Sequence, residues 1–256
     1  MHDYRWLATM TLLAAMLAAL SLVLPPPIMW LAALVFTLII VVGMNTLLWH
    51  HLPYRVCHPF YRYTYSILPL SIVAGGSLFL RIMVSSQWVA WGIPLIAVVF
   101  AVVVYAEYHI VDPLRHPFPM ARLILNLATY LVAFTFYTVI YELRIEGIRP
   151  LLSLLVVSFL LGLELFRIGE RAFPRDVLYA VLAGAIVSQV AWGLGLWPIG
   201  GLVGGVFLLL VFYLITGIIQ NYFLNGPSRG AVLEYLSVTL VGFALLFGIR
   251  LWGGGM

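Results

Sequence analysis

The sequence predicts an all-α fold, a polytopic bundle of membrane-spanning helices. Three observations predict it. Apolar residues make up 64% of the 256 residues and charged residues 9%, and there is no lysine; soluble domains carry about a quarter charged residues. Nine apolar segments recur along the chain. Each has about the 20 residues a helix needs to cross the hydrocarbon of a bilayer. Proline-rich, glycine-rich or charged stretches separate them, as connections between helices require.

The first segment covers 6–24, behind Met1-His2-Asp3-Tyr4-Arg5. Its apolar run is longer than the core of a signal peptide and no clear A-x-A cleavage site follows, so it reads as a span. Pro25-Pro26-Pro27 separates it from the second, 28–49. The third, 65–84, carries Ala74-Gly75-Gly76-Ser77 near its middle, and the fourth, 88–108, contains Pro94. A proline inside a span should kink it, which membrane helices tolerate. The fifth is 121–141, and the charged run Glu142 to Arg149 separates it from the sixth, 150–166. The seventh is 177–197, closed by Trp197-Pro198-Ile199-Gly200-Gly201; the eighth is 202–220 and the ninth 231–249. No polar stretch suffices for a soluble module. The longest, 50–65, is loop-sized, so residues 1–256 are expected to form a single integral membrane domain.

Arginine placement orients the chain. With the N-terminus in the cytoplasm, Arg5, Arg55, Arg62, Arg115, Arg122, Arg167, Arg171, Arg175 and Arg229 face inside. Arg81, Arg144, Arg149 and Arg250 face outside. Cytoplasmic loops carry the excess of positive residues, so the N-terminus is expected inside and the C-terminus outside, in the cytoplasmic membrane of a bacterium. A pI near 9.3 could suggest nucleic acid, but the arginines are scattered over short loops rather than gathered in a stripe. Headgroup contacts account for them better. The lone cysteine, Cys57, excludes an intramolecular disulfide and a cysteine-based metal site.

The second and fourth segments are followed by matching loops, His51 to Phe60 and His109 to Phe118, both H-x6-H-P-F. The match suggests a duplicated two-helix unit. It would place His51, His58, His109 and His116 side by side as a candidate metal set, since neutral imidazole is a common metal ligand. Histidine also suits a helix C-terminus, and that reading is preferred here, with no cofactor expected.

The ionisable residues within or beside spans are candidate binding groups, because a charge at membrane depth is costly. They are Glu107, and Glu164 with Arg167 three residues on. All lie within a turn or two of the inner interface, where an arginine partner reduces the cost. Glu234 is expected in the first turn of the ninth span. The amides Asn126 and Gln189 are expected to bond between helices. Gly75, Gly76, Ala180, Gly184, Ser188, Gly204 and Gly205 are candidate close-packing positions, since small residues let helices approach in lipid. An unwound, substrate-binding break at 74–77 is the sharper alternative for Gly75 and Gly76.

Absent motifs narrow the function. There is no G-x-S-x-G, H-E-x-x-H or phosphate-binding loop, and no lysine for a Schiff base. Glu142-x3-Glu146 would suit a CAAX-type intramembrane protease only with later histidines, and none follows His116. Two classes remain. The first is a non-catalytic subunit of a membrane complex, in contact with lipids and other subunits, with lipid, quinone or pigment held on its aromatic surface. The second is a small transporter or lipid flippase with a path near 74–77, Asn126, Glu164 and Gln189. The poverty of mid-membrane polar groups favours the first.

Overall fold

The structure, a computed structural model, describes residues 2–23, 26–49, 59–83, 86–111, 118–143, 147–167, 173–197, 199–226 and 229–253. Among these residues every regular element is a helix. They are α1 (His2–Val23), α2 (Pro26–Leu48), α3 (Pro59–Thr64), α4 (Ile67–Met83), α5 (Ser86–Ile110), α6 (Phe118–Glu142), α7 (Arg149–Phe166), α8 (Phe173–Leu194), α9 (Gly201–Asn225) and α10 (Arg229–Gly253). Six described segments are long and apolar enough to cross a membrane: Arg62–Met83, Trp88–Ile110, Pro119–Glu142, Arg149–Phe166, Arg175–Leu194 and Gly201–Phe223. The protein is an all-helical, multi-pass integral membrane protein.

Its surface fits that solvent. Leu123, Leu127 and Leu131 line one exposed face of α6, and Leu34, Leu38 and Val42 one exposed face of α2. Both runs recur at i, i+4 and i+8, so each is a continuous apolar stripe. Stripes of this kind on several helices suit lipid rather than water.

Contacts divide the chain into two compact units, Met1–Val132 and Ala133–Met256, the division falling within α6. In the first unit α1 packs against α2, α4 and α5. Its contact stripe is Met10, Ala14 and Ala18, while Leu12, Met16 and Leu20 stay exposed. Alanine at two of the three contact positions lets three neighbours come close. In the second unit α7 and α8 form the most extensive pair, α9 packs on both, and α10 packs on α9.

Several boundaries differ from the predicted ones. The expected loop at 50–65 ends in helix α3, followed by a turn at Tyr65 and Ser66. α8 starts before residue 177 because Asp176 occupies its first turn, where a carboxylate favours the positive helix end. It stops at Leu194, beside Gly193 and Gly195. α9 runs on to Asn225 and ends at Gly226, whose φ of 75° is a conformation glycine adopts without strain. α10 starts at Arg229, so Glu234 lies beyond the first turn. The helix α4 is continuous through 74–77, which rules against the alternative of an unwound break there. Gly75 is buried in α4 and Gly76 sits against Ile96 of α5; the small residues serve contact within an intact helix. α5 likewise continues through Pro94.

Candidate functional site

The second unit holds the polar side chains with the most structure around them. α7 and α8 are antiparallel, because contacts descend along one as they rise along the other. Gly162 meets Ala180, Leu155 meets Gly184, and Leu151 meets Ser188. At Gly184 a Cβ would lie 2.7 Å from the Leu155 carbonyl oxygen, so only glycine allows this approach. Ser188 Oγ donates to the Leu151 carbonyl at 2.9 Å. Asp176, Ala180, Gly184 and Ser188 recur every fourth residue, on one face of α8. The stripe facing α7 therefore ends in a carboxylate, and Asp176 is 2% exposed.

At the Phe166 end of this pair lies a buried ion pair. Arg167 Nη2 donates to Glu164 Oε1 at 2.8 Å, and their side chains are 7% and 1% exposed. Glu164 Oε2 is buried and makes no hydrogen bond among the described residues. Beside the pair, Gln220 of α9 donates from Nε2 to the Leu165 carbonyl at 2.9 Å. α7 stops at Phe166, and the amide brings a donor to a carbonyl of its last turn, where intrahelical donors run out. Phe223 of α9 closes the corner, edge-on to Phe166 at 5.9 Å and to Tyr179 at 5.2 Å. The corner can bind one hydrogen-bond donor at Glu164 Oε2, and it ties three helix ends together.

A second polar seam joins α6 to α7, α8 and α9. Tyr137 is fully buried. Its hydroxyl bonds Ser158 Oγ at 2.7 Å, and its ring stands edge-on to Phe212 at 5.9 Å. Tyr141 donates to the Leu194 carbonyl at 2.8 Å. Glu142 Oε2 accepts from the Gly201 N–H at 2.8 Å, which places a negative charge on the positive end of α9. Gly204 lies under the Tyr141 ring and Gly205 against Thr138.

Residues 11–249 match a protein family described as "Protein of unknown function (DUF5656)". The chain belongs to the DUF5656 family. The match runs from within α1 to within α10 and takes in both units. No curated protein matches the chain, and no solved structure does.

The other predicted positions of this DUF5656 chain fall in both units. Glu107 on α5 and Asn126 on α6 belong to the first unit, whereas Glu164 and Gln189 belong to the second. Glu107 is fully buried and Asn126 half-buried. Gln189 is exposed; its neighbour Ser188 makes the interhelical bond instead, a correction to the role expected of Gln189. On antiparallel α7 and α8, Gln189 lies level with about residue 150. That is about 20 Å along the axis from Glu164 at 1.5 Å per residue, so these two residues do not converge. His109 Nδ1 donates to the Tyr105 carbonyl at 2.9 Å, and its ring packs on Tyr105 at 4.1 Å. His51, His58 and His116 lie outside the described residues, as does Cys57. Among the described residues no group of three or more His, Cys, Asp or Glu could hold a metal.

Sequence reasoning missed Tyr137, Ser158, Glu142, Asp176 and Gln220. The spacing of Asp176 before Ala180 was a readable signal. The others meet partners 21 to 59 residues away, and no local pattern announces them.

Proposed function

We propose that this protein is a non-catalytic subunit of a membrane assembly and works by binding other membrane chains and lipid. One observation carries the reading: the polar side chains that bond inside the second unit do so within its own architecture, and few buried oxygens there (Thr138 Oγ1, Glu164 Oε2 and Asn221 Oδ1) are without a bond among the described residues. Tyr137 and Ser158 bond each other, and Ser188, Tyr141 and Gln220 bond carbonyls of neighbouring helices. Glu142 caps α9, and Thr216 and Thr239 bond back within their own helices. A transport path needs several polar groups converging at mid-membrane. The long exposed apolar and aromatic surface, with Trp88, Trp91 and Trp192 each more than half exposed, suits lipid, other subunits, or a flat ligand such as a quinone or pigment. The arginine distribution supports a bacterial cytoplasmic membrane, with the N-terminus inside and the C-terminus outside.

Glu164 Oε2, buried without a hydrogen bond, favours a second reading as a small transporter or lipid flippase, since a buried carboxylate oxygen can take up a cationic or donor group in transit. Reconstitution separates the two. Purified protein in liposomes should move neither solute nor lipid. Uptake or flipping that is lost in a folded Glu164→Gln variant would replace the subunit reading with the transporter.

A further inference from the structure

The turn from α8 to α9 lies in a long stretch without charge. From Val177 to Ser228 there is no Asp, Glu, Lys, Arg or His. The connection from α6 to α7 starts at the same end of the unit, where Tyr141 meets Leu194, yet it holds Arg144 and Glu146. The large apolar residues at the α8–α9 turn do not point inward. Leu196 is 85% exposed, and Trp192 and Trp197 are each more than half exposed.

The backbone of this turn is closed by the protein itself. Pro198 carries no N–H, and five of the six N–H groups from Gly195 to Gly201 are bonded. Gly195, Leu196, Trp197 and Ile199 donate to carbonyls of the turn or of the end of α8, and Gly201 donates to Glu142 Oε2. Tyr141 donates to the Leu194 carbonyl at 2.8 Å and to the Trp197 carbonyl at 3.4 Å. Water can satisfy the backbone of an aqueous turn; lipid cannot, so there each group must find a partner inside the protein. Helix length gives the depth. Arg175, exposed at the other end of α8, lies about 29 Å along the axis from Leu194 at 1.5 Å per residue. The hydrocarbon core is about 30 Å thick. With Arg175 at one headgroup layer, α8 reaches the opposite boundary and stops there. Tryptophan favours that boundary, because its ring is apolar and its N–H is polar.

We propose that the α8–α9 turn is a lipid-binding tip, with Trp192, Leu196 and Trp197 seated among phospholipid headgroups and the tops of their acyl chains, and that no aqueous loop emerges there. This goes beyond the subunit reading and holds equally for a transporter.

The test places a nitroxide spin label on cysteine at Leu196, in a full chain whose lone Cys57 is replaced by serine. The chain is extracted with its surrounding native lipid, so that both faces meet the solvent. Leu202, exposed in the first turn of α9, is labelled in a second variant. Ile148, exposed beside the charged connection, is labelled in a third. Collision with dissolved oxygen reports lipid, and collision with a water-soluble nickel chelate reports solvent. Leu196 and Leu202 should meet oxygen several-fold more than the chelate, matching lipids labelled near the top of the acyl chain. Ile148 should show the reverse preference. Chelate access at Leu196 or Leu202 equal to that of a label in free solution would overturn the proposal in favour of an aqueous loop. Labels shielded from both reagents would overturn it too, because another protein chain would then cover the tip.

Discussion

Gly184 has a neighbouring backbone oxygen where its side chain would be, 2.7 Å from an ideal Cβ. Leu155 cannot move that carbonyl without shifting α7. Gly184→Leu should therefore part the helix pair and destabilise the protein by about 3 kcal/mol or more, the upper range for overpacking. Thermal unfolding in detergent should show a larger drop than for His109→Ala or Glu107→Ala. Tyr137 makes a subtler case. Tyr137→Phe removes one bond to Ser158, and interhelical bonds in membranes contribute about 0.6 kcal/mol on average. Ser158→Ala should cost a similar amount, and the double variant should cost less than the sum, because both remove the same bond. At this scale the sequence is legible where residue type alone carries the message. Gly184, Ser188 and the Glu164–Arg167 spacing could be marked because small residues and i,i+3 charges have local signatures. Tyr137, Glu142 and Gln220 could not, because their partners are set by how helices stack. Gln189 was singled out for the same chemistry that its neighbour Ser188 performs; the two are about 100° apart on the helix, and nothing local says which faces α7.

The end of α7 shows what an element contributes. Its last turn is buried from Leu161 to Phe166, including a charged residue. Removing one member of a buried ion pair strands the other, whereas replacing both can be nearly neutral. Arg167→Met should thus destabilise by about 3 kcal/mol, and Glu164→Gln with Arg167→Met should recover much of that loss in the same unfolding assay. If the double variant is as unstable as Arg167→Met alone, Arg167 acts through contacts other than Glu164. Helices as elements were the most legible level, since a run of about 20 apolar residues has few other uses. Their ends were less so. Asp176 extends α8 backward and Gly226 closes α9 later than hydropathy alone suggests, because capping and dipole effects act on single residues that an apolar window averages away. The stretch at 74–77 left two readings open for a related reason. Glycine permits both unwinding and close approach, and the contact of Gly76 with Ile96 selects the second.

For the whole molecule, the composition alone specified the solvent, and the exposed leucine stripes of α2 and α6 are its structural counterpart. The proposed orientation rests on the arginines in the connections. Cys57 offers a direct check: with the N-terminus inside, a membrane-impermeant maleimide should label it in inside-out vesicles and leave it unlabelled in intact spheroplasts. Labelling in spheroplasts would reverse the topology. Function was the least legible level, because the function proposed, presenting surfaces to other chains, needs no motif. The most direct test of that idea is to extract the chain from its native membrane with its surrounding lipid and measure the mass of the intact particle. The account predicts a particle containing this chain and at least one different membrane chain at fixed stoichiometry. A particle holding this chain alone, or only copies of it, would contradict it.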